Sequence, residues 1–135
     1  MSLAVRLAEG DDTTRLADEL CVSFDDNENG GYYWFLHPLF ERLAQRTGQY
    51  IDLYGWAEFR GDDLSALQDT LHEARQVVLA QPERWPVHVG TQTAPVQREL
   101  FKDVERTLLL TMVDDLVELV RQARATGRPI VCLGD

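Results

Sequence analysis

Leu64, Leu67, Leu71, Ala74 and Val78 recur at steps of three and four residues. Such steps gather side chains into one apolar stripe along a helix whose opposite face is polar. A helix of that kind is not stable alone in water; its stripe must lie on another apolar surface, so the chain has to build a layered fold. Asp62 or Asp63 is placed to cap this helix and Pro82 to end it. A second such pattern, Leu109, Met112, Val113, Leu116, Val120 and Ala123, is so rich that it predicts a central helix, capped by Thr107 and running to about Ala125. Arg121 and Arg124 suit its C-terminal dipole, and Gly127 and Pro129 terminate it.

The remaining periodicities are those of strands and one shorter helix. Leu3, Val5 and Leu7 alternate with polar or small residues, as do residues 50–54, and Ile130 to Leu133 form a last apolar run. Val87, Val89 and Thr91 alternate within residues 85–93, and Leu100, Lys102 and Val104 within 97–105; with Ala94 and Pro95 between them they predict a hairpin. Phe35, Leu39 and Leu43 stripe a helix between Tyr32 and Arg46. Pro38 shifts its regular start towards His37, and Gly48 stops it. Residues 13–24 read two ways, since Ala17, Leu20, Cys21 and Phe24 fit a helix while Cys21 to Phe24 have strand composition; a turn of helix followed by extended chain is expected. The order β, α, β, α, β, β, α, β predicts an α+β fold, one domain over residues 1–135, with a partly antiparallel sheet packed on about three helices.

Charge sets the functional classes. The formal net charge is −10, and Lys102 is the only lysine among 13 basic residues. No cations cluster in the sequence, so nucleic acid and anionic lipid are not expected partners, whereas a basic protein would be drawn in. The same acidity also serves plain solubility. No apolar run is long enough for a bilayer, and no basic-then-apolar leader opens the sequence. Cys21 and Cys132, each between apolar neighbours, read as small buried hydrophobes in a reducing cytoplasm.

The stretch Asp25-Asp26-Asn27-Glu28-Asn29-Gly30 has the oxygens and glycine of the front half of a calcium loop, at positions 1, 3, 5 and 6. Position 12, which needs a bidentate glutamate, falls on Leu36, and no second loop follows. It reads as a solvated turn, with Asn29, Gly30 and Gly31 supplying positive φ. His37, His72 and His88 lack metal-ligand spacing and read as structural, and no metal or cofactor is expected. There is no phosphate-binding loop, dinucleotide fingerprint or nucleophile elbow. Carboxylates are plentiful (Asp52 and Glu58; Asp62 and Asp63; Asp114, Asp115 and Glu118), and a converging pair could do acid–base work, but in so acidic a chain pairs also arise by chance.

The aromatics carry the positive expectation. Tyr32-Tyr33-Trp34-Phe35 adjoins one acidic loop, and Tyr50, Tyr54 and Trp56 surround another acidic stretch. Four successive aromatics cannot all face one core, so Tyr32 or Tyr33 is expected at the surface, where aromatics beside carboxylates make a hot spot for a basic protein. The stretch from Tyr50 to Leu67 and the ending Gly127 to Asp135 resemble small acidic bacterial proteins in which an I-D-x-Y-G strand runs into a helix and the chain closes on G-D. In its short, acidic, aromatic-rich character the chain is also similar to immunity proteins that neutralise bacterial toxins; this likeness implies a protein-binding role and transfers no site residue. The expected function is therefore an immunity- or inhibitor-like binding module of the cytoplasm that masks a basic partner, with Asp25, Asp26, Glu28, Tyr32, Tyr33 and Trp56 as contacts. The alternatives are a small-molecule enzyme with a carboxylate-lined pocket, or a structural homo-oligomer joined along the third helix.

Overall fold

The computed structural model describes residues 2–9, 12–25 and 30–135. Strands β1 (Ser2–Glu9) and β2 (Asp12–Asp25) precede helix α1 (Gly30–Thr47). Strand β3 (Trp56–Phe59), helix α2 (Asp62–Leu79), strands β4 (Arg84–Gln92) and β5 (Arg98–Glu105), helix α3 (Arg106–Thr126) and strand β6 (Ile130–Gly134) follow. A four-stranded sheet has the order β2-β1-β6-β3, and β4 and β5 form a separate hairpin; every pairing is antiparallel. The fold is α+β, as the order of periodicities predicted.

Alternation decides which sheet residues meet the helices. Leu3 faces Phe24, Val5 faces Val22, Cys132 faces Ala57 and Ile130 faces Phe59 across neighbouring strands. All eight belong to one apolar core with the stripes of α2 (Leu64, Leu67, Leu71, Ala74, Val78) and α3 (Leu109, Val113, Leu116, Val120, Ala123). The apolar stripe of α3 is used up inside the chain, which leaves Leu108 exposed at its start.

Several local expectations are corrected by contacts distant in sequence. Residues 13–24 lie within β2 because β1 offers a pairing partner, in regular register from Cys21 to Asp25 and, after register shifts between Arg6 and Ala8 and between Ala8 and Glu9, again at Leu16 and Asp12. Residues 50–54 are not a strand: Ile51 and Leu53 are buried, but Tyr54 N–H donates to Asp52 Oδ1 (3.2 Å) in a side-chain turn, and pairing with β6 starts only at Trp56. Helix α1 begins at Gly30, not His37, and runs through Pro38, whose exposed position leaves the unbonded carbonyl side to water. Gly30 and Gly31 are buried in that helix instead of turning a loop. A Cβ on Gly31 would stand 3.0 Å from Val104 Cγ2, so its smallness lets α1 start against β5. Neither expected cap acts through its side chain. Gly61, at φ 56°, precedes α2, and Glu105 precedes α3, whose Arg106 N–H donates to Glu83 O at 2.9 Å.

The closing Gly-Asp has a clear task. A Cβ on Gly134 would lie 2.4 Å from Asp52 O and 2.5 Å from Leu53 C, so glycine alone lets β6 pass under the 50–54 segment. Asp135 then accepts from Ser2 N–H (2.7 Å) while its own N–H donates to Ser2 O (3.1 Å). These bonds hold its carboxyl below the usual carboxylate range.

Candidate binding face

The four-stranded sheet has two faces and the helices take one. On the other, alternation places Trp56, Leu133, Ala4 and Ser23 in one cross-strand row, and Glu58, Val131, Arg6 and Cys21 in the next. Val131 is fully buried yet outside the helix-covered core, flanked by the long side chains of Arg6 and Glu58. The Arg6 Nη2 group donates to Cys21 Sγ at 3.5 Å, and its Nε is buried with no hydrogen-bond partner among the described residues. Glu58 is held from both sides, its N–H donating to Gln49 Oε1 (2.9 Å) and its carboxylate paired with Arg60. At the edge of this face Tyr54 is 63% and Trp56 56% exposed. These are large apolar side chains that the fold leaves in water.

The predicted contacts divide accordingly. Trp56 is at the surface as a contact must be, and Asp25 ends β2 on the same face of the sheet. The two occupy opposite edge strands, about 14 Å apart from the spacing of strands. Asp26 and Glu28, with the rest of residues 26–29 of the calcium-like loop, lie outside the described residues. Tyr32 and Tyr33 are both buried, at 8% and 1% exposure, which corrects the expectation that one of them faces solvent. Helix α1 is covered on two sides, so successive side chains are buried against different parts of one core. Tyr32 accepts Glu105 N–H (3.2 Å) and Phe35 packs edge-on against Trp85 on the hairpin side, while Tyr33 donates to Ile51 O (2.8 Å) and stacks with Phe24 and Phe40 on the other. Tyr54, which the sequence sets with Tyr50 and Trp56 around an acidic stretch, is the second exposed aromatic. Phe101 is also exposed, packed against His88 at 5.4 Å between ring centres.

One titratable chain has the order that acid–base catalysis uses. Glu41 Oε1 lies 3.1 Å from His37 Nδ1, and His37 Nε2 lies 2.5 Å from the Tyr50 hydroxyl. With Nδ1–H donated to Glu41, Nε2 accepts the Tyr50 proton, a carboxylate–imidazole–hydroxyl sequence. Burial, with nearby Asp52 and Glu41, nevertheless raises the Tyr50 pKa, the direction opposite to an activated nucleophile. Burial raises that of Tyr33 as well, with Tyr50 and Asp52 adding to it. Trp34 covers the imidazole at 5.0 Å between ring centres. The chain thus ties α1 to residues 50–52.

Cavities give no better stage for chemistry. The enclosed void between sheet and helices, about 10 Å³ and lined by Val5, Phe24, Phe40, Ile51, Leu67, Leu71, Leu116 and Ile130, is wholly apolar. An open cleft of about 500 Å³ holds Glu83, Arg84 and Glu105, with Arg84 and Glu105 already paired. Glu118 and Asp135 are displaced downward, by Arg121 and by Ser2 respectively, whereas a general acid needs a raised carboxyl. Among the described residues no three His, Cys, Asp or Glu side chains converge as a metal site. No helix among them is long and apolar enough to cross a membrane.

Comparison with known proteins found no family model, no curated protein and no solved structure that matches this chain.

Proposed function

We propose that the chain is a protein-binding module that covers a basic surface of its partner, in the manner of a small inhibitor or immunity protein. The observation that carries this reading is the helix-free sheet face edged by exposed Tyr54 and Trp56, in a chain of net charge −10. Two large aromatics at a sheet edge supply the apolar anchor of an interface. Asp25 on that face, Asp52 in the adjoining turn and the chain's net charge of −10 supply the attraction that speeds encounter with a cationic surface. Wide acidity without an anchor would steer a partner but not hold it; here both are present. The reading sets the protein in a reducing bacterial cytoplasm, where Cys21 and Cys132 remain thiols.

The test is a pull-down from source lysate at low and high salt, with the wild type and a Tyr54→Ala/Trp56→Ala double variant run side by side. A stoichiometric basic protein should be retained by the wild type, released as salt rises, and lost by the double variant. Loss of a hot-spot aromatic weakens binding by roughly thirtyfold or more. A partner held equally by the double variant would place the interface elsewhere and refute this face. Capture of the chain's own copies alone would replace the reading with a homo-oligomer.

A further inference from the structure

Strand β3 is an outer strand of the four-stranded sheet, and its pairing with β6 turns some of its backbone groups away from the sheet. In an antiparallel ladder, opposed residues alternate between pairs that exchange both hydrogen bonds and pairs that exchange none. Gly134 N–H donates to Gly55 O at 2.7 Å, so Gly55, Ala57 and Phe59 direct their backbone groups towards β6. Trp56 and Glu58 direct theirs outward. Glu58 N–H fixes this direction independently, because it donates to Gln49 Oε1 at 2.9 Å and not to a strand. Trp56 N–H and the carbonyls of Trp56 and Glu58 have no hydrogen-bond partner among the described residues.

The segment before β3 does not pair along this edge. Ile51 and Leu53 are buried in the core. Gly134, on the core side of β6 with Cys132 and Ile130, is the residue whose Cβ would meet Asp52 O at 2.4 Å. Residues 51–53 therefore pass on the helix side of the sheet, and it is the side chain of Gln49 that reaches Glu58 N–H from outside. A carboxamide carries the carbonyl and N–H of a peptide group. It stands where a neighbouring strand would set a peptide unit, satisfies one outward donor and leaves the groups of Trp56 open. An edge with unpaired N–H and C=O groups is a template for a strand from another chain.

We propose that β3 receives an extended segment of the basic partner as a fifth strand, a partner carbonyl replacing Gln49 Oε1 on Glu58 N–H. This inference rests on the binding role proposed above and names the form of the partner's contact. The outward groups adjoin exposed Trp56 and Tyr54, so one strand makes backbone hydrogen bonds and covers the aromatics together. Its side chain opposite Trp56 comes within about 5 Å, which suits a β-branched or aromatic residue. The net charge of −10 favours lysine or arginine at the remaining positions. With four residues in β3, the segment is short, about four to six residues.

The experiment is an NMR titration of the full chain with the peptide acetyl-Arg-Val-Arg-Val-Arg-amide and, separately, with a counterpart N-methylated at every residue. The two share side chains and charge, but the second has no backbone donor and cannot pair as a strand. The first should give saturable shifts at the Trp56 and Glu58 amides and slow hydrogen exchange at Trp56 N–H. The second should bind about tenfold more weakly or worse, the loss of at least one or two strand hydrogen bonds. Gln49→Ala, shown to be folded by its own spectrum, should tighten the first peptide by about threefold, because the carboxamide no longer has to be displaced. Equal binding of both peptides, abolished by Tyr54→Ala/Trp56→Ala, would overturn strand addition and leave the aromatic face standing. Binding of neither would also overturn it, and the lysate capture would then decide the face by itself. A folded Gln49→Ala that binds no tighter would overturn the replacement of the carboxamide by a partner carbonyl.

Discussion

Replacing Tyr33 with Phe removes one buried hydroxyl and leaves the ring among Phe24, Phe40, Trp34 and His37. What is lost is the 2.8 Å hydrogen bond to the Ile51 carbonyl, which then lies in the interior without its donor. A buried carbonyl left in that state costs about 1–2 kcal/mol. With an unfolding entropy near 2.1 cal/mol/K per residue, that lowers Tm by roughly 4–7 °C at pH 7. The same substitution has a second signature. Burial raises the Tyr33 pKa above its ordinary value of 10.0, so above pH 10 the unfolded chain gives up that proton while the folded chain keeps it. Stability contributed by the neutral phenol is complete below pH 10 and falls above it by about 1.4 kcal/mol per pH unit. Tyr33→Phe escapes this fall, so the deficit at pH 7 should close by about pH 11. Urea denaturation of both proteins across pH 7–11 measures it. A deficit independent of pH would refute the placement of Tyr33 as a buried neutral donor, and no deficit at pH 7 would refute the bond to Ile51.

Gly134→Ala should destabilise strongly, by about 3 kcal/mol, because the new methyl meets backbone rather than movable side chains, and hydrogen exchange should show opening at residues 50–54. Leu71→Ala enlarges a void already present beside it and should cost about 3–5 kcal/mol in urea titrations; a loss under 1 kcal/mol would mean the core collapses around the site. Burial pushes the Cys132 thiol from 9.0 up to about 12, so stability that is complete below pH 9 declines between those values; Cys132→Ala should lose that alkaline slope while costing some packing at pH 7. Hydrogen bonds from Arg121 and Gln122 lower the Glu118 carboxyl to about 2, and Arg121→Gln should return its NMR titration midpoint towards the usual glutamate range; an unmoved midpoint would exclude Arg121 as the cause.

Local periodicity was sufficient for much of this protein. The stripes of α2 and α3 and the alternation of β4 and β5 follow from side-chain directions that each element fixes by itself. Trp56 as an exposed aromatic followed too, since Ala57 and Phe59 claim the other side of the same strand. Tertiary structure decided whatever needed a distant partner. Tyr32 is buried because the hairpin, 73 residues further on at Glu105, closes over one side of α1, and Tyr33 because Phe24 and Ile51 cover the other, contacts no local pattern encodes. Residues 50–54 alternate like a strand yet form none, because β6 passes beneath them at Gly134 and ladder pairing with β6 begins only at Trp56. Side-chain direction is set within a few residues, but exposure and convergence depend on which surfaces the folded chain brings together.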